Sequence, residues 1–295
     1  MEFFIQQLVN AISLGGIYAL LALGLAVVFS IVGLINFAHG ELMTVAGYGL
    51  FFAIGASLGL PIAIVLAIFA AVAMALLIER VAFRPMRRAD VTGLLLTSFA
   101  VSVILRVLFQ NGISARGMPV PMPSALAGSI DLGFAHIGVI PLLSIVATAV
   151  SLGALLLFLK HTVVGTAMRA AAQDFAVVRL MGIPANRVVA VAFAVSGVLA
   201  GVAAFLWVAQ RGSVDPLMGF VPVLKAFVAA IIGGLGGLAG AVAGGFVLGF
   251  LEVACQAFLP ASILPYRDAF VLGIVILILV LRPEGLIPAQ TGKRS

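Results

Sequence analysis

The sequence predicts an all-α polytopic membrane protein, and three observations carry that prediction. Of the 295 residues, 64% are hydrophobic and 9% charged, where soluble domains carry about a quarter charged residues. No charged side chain occurs from Phe3 to Ala38, and long apolar stretches also fill 42–78, 137–159, 188–210 and 226–251. Each is long enough for a helix to cross a hydrocarbon core, which needs about 20 residues. The runs are continuously apolar, without the alternation over about ten residues that marks a membrane β-barrel strand.

The first run lacks the basic start of a signal peptide and outlasts its apolar region, so a retained span is expected over 5–29. Further spans are expected at 37–58, 61–79, 92–110, 138–159 and 188–210. A Gly-rich region follows at 217–258, and a last span at 267–282. Pro61 after Gly59 marks the turn between the second and third spans. Positive charge concentrates at Arg80, Arg84, Arg87 and Arg88, then Lys160, Arg169, Arg179 and Arg187, then Arg282, Lys293 and Arg294. The other side keeps Arg106, Arg116, Arg211, Lys225 and Arg267, a split of eleven against five. Basic loops stay in the cytoplasm, so the N-terminus is expected outside and the C-terminus cytoplasmic.

Parity then constrains the Gly-rich region. A single crossing there would carry Arg282 and its basic neighbours outside, so the chain is expected to turn back at IIGGLGGLAG, with Gly233, Gly234, Gly236 and Gly237 as the helix break. This gives about eight to nine transmembrane helices in a single transmembrane domain, 1–295. Glycines four apart, such as Gly240 to Gly244 and Gly245 to Gly249, also suit close helix packing in lipid. GELMTVAG at 40–47 and GLAGAVAG at 237–244 share a pattern of the kind left by repeated transporter halves.

The chemistry absent from the sequence narrows the function. The Gly292–Lys293 pair has no phosphate-binding loop before it, and GLGGLA at 234–239 has no βαβ unit around it, so neither ATP nor a dinucleotide is expected to bind. His39, His136 and His161 have no metal-ligand spacing, and Cys255 is the only cysteine. Thr97, Ser98 and Ser102 are expected to bond to backbone or neighbouring helices. No catalytic residue, metal or cofactor is expected, and the dispersed basic residues form no nucleic-acid surface. Ionisable groups are scarce in the spans, which disfavours a proton-driven carrier and points to an external source of energy.

INFAHGEL at 35–42 interrupts the apolar pattern. Asn36, His39 and Glu41 fit two readings: a capped helix start with a carboxylate near its positive end, or a broken helix facing the translocation path or a gate. Lys225 has two readings as well, a stem that snorkels to the interface or a cation facing a vestibule for a zwitterionic substrate.

The loop at 161–187 is expected to form a short helix between Thr166 and Leu180, ended by Gly182 and Pro184. It either lies in the headgroups or docks a soluble protein. GLINFAHGELMTVAGY at 33–48, MRAAAQDFAVVRLMGIPANRV at 168–188 and LKAFVAAIIGGLGGLAGAVAGGFVLGFLE at 224–252 together resemble the LivH-type permease of bacterial branched-chain amino-acid ABC importers. The resemblance implies a multi-pass inner-membrane subunit, surrounded by membrane lipid, that translocates branched-chain or other neutral amino acids by alternating access. It implies as partners two cytosolic ATP-binding subunits, a homologous second permease and a periplasmic substrate-binding protein. It also makes 168–184 similar to an ATPase-coupling loop, with Arg169, Ala171, Gln173 and Asp174 on the coupling helix, Arg179 beyond them, and Gly182 ending it. The Glu-Ala-Ala triplet of the familiar importer loop is replaced by Ala-Ala-Ala-Gln-Asp. A secondary transporter or channel for a small polar solute is the alternative, and it requires coupling charges within the spans.

Overall fold

The computed structural model describes residues 2–86, 90–126, 128–131 and 136–287. Arg87, Arg88, Lys293 and Arg294 of the basic segments lie outside the described residues.

A helix that is apolar all round belongs in the interior of a bundle, and α1 (Glu2–Val32) occupies that place. Ile17 through Ala22 are all buried, so no face of this stretch reaches the surroundings. Around α1 pack α10 (Leu238–Phe258), α8 (Ala185–Arg211), α9 (Phe220–Gly233) and α5 (Val139–His161). A second layer, α2 (His39–Gly55) and α3 (Leu60–Ile78), lies against α8. α3 turns Ala63, Ala67, Ala71 and Ala75 inward and leaves Ile62, Val65 and Phe69 exposed. Spacing of four puts the small residues on one face, where they let the backbones approach, and the large ones are left to lipid. α4 (Val91–Gly112) and α11 (Arg267–Leu281) lie at the periphery, each with many exposed large apolar side chains.

Among the described residues, seven helices are long and apolar enough to cross a membrane. α2, at 17 residues, and α9, at 14, are shorter. α9 ends at Gly233 and α10 starts at Leu238, so the Gly-rich block does separate two helices. Gly234 and Gly236 adopt φ of 107° and 90°, which L side chains resist. The carbonyls at the end of α9 find donors after α11: the Leu286 amide donates to Ile232 O at 2.7 Å and the Ile287 amide to Gly233 O at 3.1 Å. A helix end inside a bundle needs such partners.

Between α5 and α8 the chain forms two helices where the sequence suggests one. α6 (Val163–Gln173) starts at Thr162, whose hydroxyl accepts from the Gly165 amide at 2.9 Å. Asp174 leaves the helical region at φ −152°, and its carboxylate accepts from the Val177 amide at 3.0 Å, starting α7 (Phe175–Leu180). Asp prefers a capping position to a helix interior, and that preference overrides the surrounding helix formers. Two short antiparallel ribbons complete the fold: β1 (Met118–Pro119) pairs with β4 (Ser213–Val214), and β2 (Ser129–Asp131) with β3 (His136–Gly138).

The seam between α1 and α10 is made of backbone against backbone. A Cβ at Gly249 would overlap the Gly15 backbone, and one at Gly245 the Ala19 backbone. Gly249→Leu is expected to destabilise the purified protein by about 1–3 kcal/mol, the usual cost of overpacking. Gly273→Leu on α11, where nothing lies within 4 Å of the added carbon, is expected to leave the thermal midpoint in detergent unchanged.

Candidate functional site

The residues from 33 to 38 connect α1 to α2 without helical structure, and Asn36 within them is buried. Backbone without internal hydrogen bonds has to find partners before it can sit inside a membrane protein. Asn36 Oδ1 accepts from the Ala38 amide at 3.0 Å, and the Ser98 hydroxyl of α4 accepts from the Phe37 amide at 3.4 Å while lying 3.3 Å from Ile35 O. The cap residue of α2 is Ala38, with no side-chain cap bond. Asn36 therefore secures the turn before α2 rather than the helix start itself.

His39 is the first residue of α2, and it is fully buried. Its Nδ1 lies 2.9 Å from Ser196 Oγ on α8, and its ring occupies the space left by Gly24 of α1. The ring thus keys α2 into the groove between α1 and α8.

Glu41, only 1% exposed, reaches away from the α2 helix end to α4. Its Oε1 accepts from Ser102 Oγ at 2.8 Å and lies 3.3 Å from Arg106 Nε. Arg106 Nη2 donates to Ser102 Oγ at 3.0 Å, and its guanidinium stacks 4.4 Å from the Phe220 ring centre of α9. One acid, one hydroxyl and one guanidinium so join α2, α4 and α9. Gly40 adds a backbone approach to Gly219, at the start of α9.

Lys225 belongs to a second cluster. Its Nζ lies 2.6 Å from Glu252 Oε1 and 3.3 Å from Asp268 Oδ1, while Arg267 Nη2 lies 3.1 Å from the same Glu252 oxygen. Tyr18 OH donates to Glu252 Oε2 at 2.7 Å. Two cations and two carboxylates balance here and tie α1, α9, α10 and α11 together. Lys225 is therefore a held cation and not a side chain extended alone to the interface. Among the described residues, no hydrogen bond or ion pair joins this cluster to Asn36, His39 or Glu41.

In the loop, Ala171 is buried together with Met168 and Val178, so of the alanine triplet only Ala172 is exposed. Arg169, Gln173, Asp174, Arg179 and Gly182 are exposed, the last at φ 78°. Leu180 and Met181 stand beside them at 87% and 72% exposure. A groove of about 650 Å³ runs between this segment and the turn after α3, with Arg84 and Arg179 on its walls. Gly233, Gly234, Gly236 and Gly237 lie at the α9–α10 break, apart from both clusters. Among the described residues, no group of three His, Cys, Asp or Glu side chains is placed to hold a metal ion.

Sequence reasoning missed the partners of Glu41 and Lys225. The available signal was Arg106, one turn beyond Ser102 in an apolar helix, since a charge within a span demands a counterpart.

Seven long apolar helices packed as one bundle with internal ion pairs define a polytopic membrane protein. The model of the family described as branched-chain amino acid transport system, permease component, matches residues 7–280, and the chain belongs to that family. It is 34% identical over 296 residues to the high-affinity branched-chain amino acid transport system permease protein BraD of Pseudomonas aeruginosa, covering 96% of this chain and 95% of that one. LivH of Escherichia coli K12, a permease protein of the same kind, is also 34% identical, over 97% of this chain and 96% of its own. PsaBC from Streptococcus pneumoniae, solved in complex with Fab, superposes with a TM-score of 0.51 over 96% of this chain and 93% of that chain; at 13% identity the likeness is one of fold.

Glu41→Ala is expected to cost about 3 kcal/mol, because it strands Arg106, which is 14% exposed, inside the bundle. The double variant Glu41→Ala with Arg106→Met is expected to recover more than half of the loss. Thermal unfolding of the four proteins of that cycle measures the coupling.

Proposed function

We propose that this chain is the membrane-spanning permease subunit of an ATP-driven importer, moving branched-chain or other neutral amino acids across the bacterial inner membrane by alternating access. The observation that supports it most directly is the family match along nearly the whole chain, and the exposed α6–α7 segment gives it a physical means. With the N-terminus outside and the C-terminus cytoplasmic, α6 and α7 lie on the cytoplasmic side, as do Arg80 and Arg84. α2 adds to the seven long helices as an eighth crossing, and α9 as a ninth, re-entrant element paired with α10.

Two cytosolic ATP-binding subunits grip the α6–α7 segment, a homologous permease completes the path, and a periplasmic binding protein delivers the substrate. Closure of the ATPases shifts the permease between states only if the contact differs in strength between them. Arg169, Gln173 and Arg179 offer polar contacts, and Leu180 and Met181 an apolar plug. Met168, Ala171 and Val178 root the segment in the bundle, so a push on it reaches α1 and α8, which α6 touches. Asn36, His39, Glu41 and Arg106 fix the start of α2 against α4, α8 and α9, where relative motion opens or closes the path.

The buried carboxylates Glu41 and Glu252 are the observation that favours a secondary transporter. Each is neutralised in place, by Arg106 or by Lys225 and Arg267, which suits structural pairing better than proton carriage.

Leu180→Asp combined with Met181→Asp tests the handle. Both side chains are largely exposed, so the thermal midpoint is expected to hold, while co-purification of the ATP-binding subunits and ATP-dependent uptake fall at least about tenfold, the loss expected of a central apolar anchor. Undiminished uptake would contradict the proposal.

A further inference from the structure

One cavity is not accounted for by packing. It holds about 440 Å³ and opens where the N-terminal half of α1, the first turn of α5, the last turns of α8 and α10 and the start of α11 converge. Its size falls in the range of small-molecule sites, about 300–1,000 Å³. Glu252 and Arg267 on its wall belong to the charge-balanced cluster with Lys225 and Asp268. Arg211 does not: among the described residues no carboxylate lies within ion-pair distance of it. Its guanidinium instead stacks 4.1 Å from the Trp207 ring centre, which leaves its N–H edge free to donate. Trp207 itself is 5% exposed, and its indole Nε1 has no acceptor. A buried donor without an acceptor is costly unless something fills the need.

We propose that this cavity binds a zwitterionic amino acid with an aliphatic side chain, its carboxylate held by Arg211 and the Trp207 N–H. The cavity carries the matching surfaces. Gln7 and Asn10, one turn apart on α1, line it, and their carboxamide oxygens are the acceptors assigned to the ammonium group. Leu14, Ile140 and Val253 form an apolar wall for the side chain. α5 begins at this cavity without a side-chain cap, and its positive end adds to the attraction for a carboxylate. The five donors of an arginine suit a carboxylate, which accepts in pairs. The inference rests on the importer reading above, to which it adds a substrate site within the permease itself.

The test uses the full assembly reconstituted in vesicles with its ATP-binding subunits and binding protein, with leucine and alanine uptake and ATP hydrolysis measured together. Arg211→Gln is expected to lower leucine uptake per ATP about tenfold, the scale of one lost charge-assisted hydrogen bond, and Arg211→Lys to restore most of it. Leu14→Trp, which narrows the apolar wall, is expected to shift the preference from leucine toward alanine about fivefold, a change within the reach of apolar pocket shape that a merely structural residue would not produce. Uptake and preference that all three variants leave at the wild-type values overturn the site and leave the importer reading standing. So does a loss shared equally by both amino acids and not rescued by lysine. A wild-type assembly that hydrolyses ATP yet takes up neither amino acid overturns the importer reading itself.

Discussion

Inside a bilayer no water completes a polar group, so each one that enters must bring its partner with it. That requirement organises this protein. The non-helical connection between α1 and α2 survives inside the bundle because Asn36 and Ser98 satisfy its amides. The interrupted end of α9 survives because the segment after α11 returns to donate to Ile232 and Gly233. Glu41 and Glu252 survive because each has cations within 3.3 Å. Remove any of these and the same positions become liabilities.

The second constraint is closeness. Apolar contact gains little when lipid is equally apolar, so helices associate where small residues let their backbones meet. α1 is clasped this way by α10 through Gly15, Gly245 and Gly249, and α8 meets α3 through Gly197 and Gly201. A bundle so joined moves as blocks, since dense packing transmits displacement instead of absorbing it. α6 is continuous with this packing, touching α1, α5 and α8. Displacement of the exposed side of α7 therefore has a packed route through α6 and α8 to α2, which carries His39 and Glu41.

The spans were legible in the sequence because twenty apolar residues in a row have few meanings. The interruption between α9 and α10 falls on glycines, residues that weaken a helix and accept turn dihedrals. Charge pairing was not legible. Ser102 lies 61 residues from Glu41, and Glu252 lies 234 from Tyr18, and no local pattern records which distant helices touch. Composition alone does not say which side of a helix faces the bundle, so the burial of Ala171 within the α6 segment was not legible. Asp174 split the loop helix because its side chain found a better partner in the next turn, a competition decided by one hydrogen bond. The β ribbons of two and three residues are too short to show an alternation at all.

The central claim is that the chain supplies a path and a handle while its energy comes from elsewhere. Solute accumulation in sealed vesicles measures that division directly, with the permease alone under an imposed ion gradient compared with the full assembly supplied with ATP. The account predicts no accumulation by the chain alone and ATP-dependent accumulation of a neutral amino acid by the assembly. Concentration of solute by the chain alone would contradict it.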